Sequence, residues 1–87
     1  MNVTLGSAWQ ATERVVGLLH TERARQDARW GSQRHLPNDT WNRILVEEVG
    51  EVSKALNDEE PVENLKAELI QVTAVAVAWA EALTEEK

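Results

Sequence analysis

Leu69-Ile-Gln-Val-Thr-Ala-Val-Ala-Val-Ala-Trp79 is the stretch on which the fold turns. Its β-branched residues suit a strand, but alanines separate them and the apolar pattern runs past the usual length of a strand. The stretch therefore reads as the middle of a helix. Working backwards, Pro61 fits the first position of that helix. Working forwards, nothing breaks it before about residue 84, and the Glu85-Glu-Lys87 tail is expected to fray.

Two more helices precede it. The first is expected over residues 8–29, with Val15, Leu18, Leu19, Glu22 and Gln26 on one stripe at helical spacing. Trp30-Gly31 ends it, and a polar loop over 32–38 contains Pro37. Asp39 or Thr40 is the expected N-cap of the second helix, which carries Trp41 near its start and runs to Asn57. Asn57-Asp-Glu-Glu60 makes a short acidic turn. No repeat, linker or strand signal is visible. The expected fold is all-α, an antiparallel bundle of three main helices forming a single domain over 1–87.

On the third helix Leu65, Leu69, Val72, Ala76 and Leu83 form one apolar face, while Val75, Ala78 and Ala82 form a second. A helix apolar on two sides needs cover from both. Three helices in a small chain provide little, so homo-oligomerisation is expected to complete the bundle, as a symmetric homodimer or homotetramer.

The chain has 87 residues, with nine basic and fifteen acidic residues and a formal charge of −6. That balance argues against a nucleic-acid-binding surface, which needs a basic patch. The absence of cysteine excludes disulfides and thiolate zinc sites and accords with a cytoplasmic location. The first seven residues lack the basic start and long apolar stretch of a secretory signal. The longest uncharged run, residues 69–80, is too short to cross a bilayer, so no membrane role is expected. Aromatics are unusual in kind: four tryptophans, no phenylalanine and no tyrosine.

Ile44-Leu-Val-Glu-Glu-Val-Gly-Glu-Val52 carries the chemistry. Trp41, Ile44, Leu45, Val52 and Ala55 share one side of the second helix. Glu48 projects from within that stripe and Glu51 from its edge, with Glu47 farther round. Residues three apart are neighbours on a helix, so Glu48 and Glu51 can aim oxygens at one point. Glu68 and Gln71 have the same spacing on the third helix. Carboxylates in an apolar setting are costly unless paired, and their convergence from two helices suits a hard divalent cation with oxygen ligands. The ordinary alternative is a solvated surface, or pairing with lysine and arginine.

This constellation resembles the MazG-like, all-α nucleoside triphosphate pyrophosphohydrolases, of the small stand-alone phage and bacterial type. Their pattern is Glu-Glu-x-x-Glu on one helix and Glu-x-x-Asp on the next. Here Glu47-Glu48-Val49-Gly50-Glu51 matches the first, and Glu68-Leu69-Ile70-Gln71 matches the second with glutamine replacing aspartate. The Glu22-Arg-Ala-Arg-Gln26 to Trp30-Gly31 stretch and the Gln71–Trp79 run also look like those proteins, and the resemblance covers residues 22–83. It implies a Mg²⁺-dependent reaction, with Mn²⁺ able to substitute. A nucleoside triphosphate would be split to the monophosphate and pyrophosphate, in the service of nucleotide-pool cleansing. By the same resemblance the metal ligands are Glu48, Glu51, Glu68 and Gln71, and the catalytic carboxylates are Glu47, Glu48 and Glu51.

Supporting residues are less distinctive. Lys54, one turn beyond Glu51, can contact a phosphate, as can Arg23, Arg25 or Arg29; pairing with the many glutamates is the ordinary role. Trp30 and Trp41 flank the first loop, where each can stack on a base or plug the core. Gln26 can bond a base edge or satisfy a buried carboxylate. Trp9 and Trp79 read as structural. His20 and His35 have no metal-ligand partner at useful spacing, and no Gly-rich phosphate loop exists. Glutamine at position 71 supplies no charge. The alternative function is therefore a nucleotide-binding or regulatory module of the same fold, and a third is a purely structural helical partner.

Overall fold

The computed structural model describes residues 2–31 and 35–85, with side chains from residue 8 onward. Three helices make up the fold, α1 (Asn2–Trp30), α2 (Asn38–Asn57) and α3 (Val62–Glu85), and no strand occurs among the described residues. The all-α expectation holds. Residues 32–34 of the expected loop and the last two residues of the tail lie outside the described part.

Boundaries differ from expectation by local chemistry. α1 begins at Asn2 rather than residue 8, since no proline interrupts the early ladder. It ends where expected: Gly31 takes φ 72°, a left-handed conformation that glycine adopts without a Cβ clash, and its N–H bonds the Asp27 carbonyl at 2.8 Å. α2 starts ahead of Asp39 and Thr40, with Pro37 at the N-cap and no side-chain cap bond. The Pro37 carbonyl accepts from the Thr40 and Trp41 N–H groups at 3.0 and 3.1 Å. Pro61 likewise stands just before α3, its carbonyl accepting from Asn64 and Leu65.

The turn between α2 and α3 closes by two backbone bonds, Glu59 N–H to Leu56 O at 3.1 Å and Glu60 N–H to Ala55 O at 3.0 Å. This is the Schellman pairing, here with a glutamate at φ 54° where glycine is usual. The turn folds α3 back antiparallel to α2. A second tie joins the far ends, where Trp79 Nε1 donates to Asn38 Oδ1 at 2.9 Å.

α3 is central: it packs on α2 along one side and on α1 along another, and among the described residues α1 and α2 form no packed pair. The core is Trp41, Val75 and Ala82, flanked by Leu36, Ile44, Leu45, Ala78 and Trp79. Trp41 fits because α3 offers it small neighbours in Val75, Ala78 and Ala82. The face of Val75, Ala78 and Ala82 is thus the core face. Leu69, Ala76 and Leu83, on the other expected face, stay exposed.

On α1 the stripe is inward only at its lower end. Val15 and Leu18 are exposed, whereas Gln26 is buried. Trp9 does not pack in the core; it is exposed near the start of α1. α3 spans 24 residues and contains an 18-residue stretch of mean hydropathy 1.3, so by length and composition it meets the criterion for a bilayer span that the uncharged run alone does not. The helix of a protein core passes the same criterion.

The molecule is open. Its radius of gyration is 15.0 Å, against about 12 Å for a compact chain of this length. Its accessible surface is 6480 Å², against roughly 5,200 Å² for a compact monomer of its mass.

Candidate functional site

Four glutamates from three helices share one electrostatic neighbourhood. α1 supplies Glu22, α2 supplies Glu48 and Glu51, and α3 supplies Glu68; Glu51 is exposed and the other three are half-buried. Burial pushes the Glu48 carboxyl above its ordinary range, and the charges of Glu68, Glu51 and Glu22 push it further, with Arg25 opposing. Glu68 is raised by burial first, then by Glu51, Glu60 and Glu22. Each of the two carries one buried oxygen, Oε1, with no hydrogen-bond partner. A buried acceptor left unpaired is costly and rare.

Glu22 differs because it is paired. Arg25 grips it with two bonds, Nε to Oε1 at 2.9 Å and Nη2 to Oε2 at 2.6 Å, a geometry that suits the guanidinium fork. Gln26 Nε2 donates to Glu22 Oε2 at 2.9 Å. The Arg25 bond holds the Glu22 carboxyl below its ordinary range despite burial. Gln26 therefore satisfies a carboxylate, one of the two roles its sequence position allows.

Beside the carboxylates lies a cleft of ≈ 230 Å³ lined by Gln26, Trp30, Trp41, Ile44, Glu47, Glu48 and Val75. Gln26, Trp30, Trp41, Glu47 and Glu48, expected as site residues, thus meet in one place. Trp41 is at once core and cleft wall, and its indole N–H is buried without a partner. Trp30 is exposed, with the Arg29 guanidinium 4.9 Å from its ring centroid. Such a cleft offers a flat apolar wall, and two of its lining residues keep a polar atom buried without a partner.

Other expected residues are not gathered there. Lys54 bonds Asp58 at 2.9 Å, an exposed pair one turn apart at the end of α2. Gln71 lines a separate groove with Glu22, Leu18, Thr21 and Lys66, because α3 turns that position towards α1. Arg23 is held by Glu81 and Asp27. Among the described residues no three acidic or imidazole side chains stand close enough to hold a metal ion as placed.

Sequence reasoning put Glu22 on the inward stripe without joining it to the carboxylates. Its signal was present: Glu22 is one turn before the inward Gln26. What was missing is the crossing of α1 over α3. No family model matches the chain, and no curated protein or solved structure matches it significantly.

Proposed function

We propose that the protein is a Mg²⁺-dependent nucleotide pyrophosphohydrolase that splits nucleoside triphosphates into monophosphate and pyrophosphate. One observation carries the reading. Carboxylates from α2 and α3 crowd together beside a tryptophan-lined cleft, and a buried oxygen on each of Glu48 and Glu68 has no protein partner. A hard cation takes such donors. Glu48, Glu51 and Glu68 would hold it after drawing closer together than they stand, and Gln71 joins them only by turning from its groove. When bound, the ion would offset charge on the phosphates and lower the pKa of a water.

The chain's own residues have simple tasks in this reading. Trp30 and Trp41 wall the base. Glu47, at the cleft's edge, orients the attacking water and accepts its proton. Arg25 neutralises Glu22, so that one fewer negative charge opposes the triphosphate. The test is a panel of (d)NTPs with Mg²⁺, followed by pyrophosphate release. Turnover is expected, with a loss of roughly 100-fold or more in Glu48→Ala. No turnover of any nucleotide, or an unaffected Glu48→Ala, overturns it.

A second reading, a nucleotide-binding or regulatory module with weak hydrolysis, is favoured by Gln71. That side chain brings no charge and lies apart from Glu48. Saturable nucleotide binding without turnover, with turnover gained in Gln71→Asp, selects it.

A further inference from the structure

Among the described residues Gln26 is the polar side chain that the fold buries, at 7% exposed, and its two amide atoms have different fates. Nε2 donates to Glu22 Oε2 at 2.9 Å. Oε1 accepts no hydrogen bond, yet it is not sealed from water as Glu48 Oε1 and Glu68 Oε1 are. Gln26 lines the cleft with Trp30 and Trp41, whereas Glu22 lines the separate groove beside Gln71. The nitrogen is therefore turned to Glu22, and the oxygen is left to the cleft.

An amide turned over keeps its shape, so something must choose between its two orientations. Glu22 makes the choice. Arg25 grips it with a two-bond fork and holds its carboxyl below the ordinary range. Glu22 is thus ionised at neutral pH and can only accept. Turning the Gln26 amide would set Oε1 against Glu22 Oε2 and strand Nε2 without a partner. All three side chains come from one turn of α1, the run Glu22-Arg-Ala-Arg-Gln26.

We propose that Gln26 makes the cleft selective for nucleobases that carry an exocyclic amino group, as cytosine and adenine do, over their oxo counterparts uracil and hypoxanthine. This selectivity rests on the nucleotide reading of the cleft and names its substrate class. An amino group donates to Gln26 Oε1; an oxo group brings a second acceptor to the same place and leaves both unpaired. The rest of the polar lining favours the same choice. Glu47 and Glu48 also face the cleft, and ionised carboxylates only accept, while the Trp41 N–H is buried. Glu22 and Arg25 are positioning residues that act through Gln26.

Calorimetric binding of the α,β-methylene analogues of CTP, UTP, ATP and ITP, with Mg²⁺, tests it. The members of each pair differ in one amino or oxo group and the ring proton beside it, and the uncleavable bridge separates binding from turnover. The amino member is expected to bind about 10-fold more tightly in both pairs. Gln26→Met keeps the bulk and removes the amide, so the ratio should fall to about 1. Glu22→Gln releases the amide to turn over and should lower the ratio by about 3-fold, which keeps the test decisive if Gln26→Met fails to fold. A merely structural role would weaken both members alike and leave the ratio in place. Equal affinities within the pairs, tighter binding of the oxo members, a ratio unmoved in both variants, or no binding of any analogue overturns the proposal. Amino preference without hydrolysis of the parent triphosphates supports it and overturns the pyrophosphohydrolase reading; hydrolysis with equal affinities does the reverse.

Discussion

The two sides of the α2–α3 hairpin make opposite bargains with water. Towards α1, Glu48 and Glu68 are partly withdrawn from solvent, crowded by like charge, and left with unpartnered buried oxygens. Away from α1, valines and leucines stand exposed with no charge among them. The first side costs stability that a bound cation would return. The second holds unspent apolar area that a partner would remove from water. The same two helices thus leave two deficits of different kinds, one electrostatic and one apolar.

The hinge of this contrast is Trp41, which closes the core and walls the cleft. Trp41→Ala should have the largest effect, a loss of roughly 3–5 kcal/mol, since the side chain is 2% exposed. Urea denaturation followed by circular dichroism, at fixed protomer concentration, measures it. A loss small enough to leave the midpoint in place would show that the core does not rest on this residue.

Glu48→Gln sharpens the contrast on the polar side. The folded carboxyl is raised above its ordinary 4.5, so the native state binds the proton more tightly than the unfolded chain does. Stability from this group therefore falls as pH rises from about 4.5 through the raised value, and the full penalty persists at pH 7. Removing the charge should raise Tm by roughly 2–5 °C at pH 7, with the gain vanishing near pH 4. Glu22 runs the other way: its lowered carboxyl contributes stability above 4.5 that is lost as pH falls through the folded value. Mg²⁺ should raise the Tm of the wild type and not of Glu48→Gln. A variant that melts lower than wild type at pH 7 would show that the carboxylates are not in conflict.

Lys54→Ala should have the smallest effect. Its ion pair with Asp58 is exposed on both sides, and such pairs contribute little in water. Tm should stay within about 1 °C, and KM for any turned-over nucleotide should not change. A large rise in KM would return Lys54 to the phosphate and break the division drawn here.

Much of this was legible one residue at a time. The helix breaks at Gly31, Pro37 and Pro61 follow from backbone chemistry that each residue carries with it. The spacing of Glu48 and Glu51 follows from 3.6 residues per turn. Gln26, Trp30 and Trp41 were readable as neighbours of one another because a single short loop joins their helices. The Lys54–Asp58 pair was not singled out because Glu51 and Asp58 are both within one turn of Lys54, and periodicity does not rank them.

Helical periodicity specifies an angle around an axis, and from that angle came the three helices, the inward Glu48 and the two apolar sides of α3. Which side of α3 would receive Trp41 was a matter of fit between elements: the small residues Ala78 and Ala82 admit the indole, and the larger Leu69 and Leu83 are left outside. The joining of Glu22 to Glu48 and Glu68 likewise arose from the path of α1 across α3. An angle within one helix contains no information about which neighbour lies in that direction, so these contacts exist only once the helices have packed.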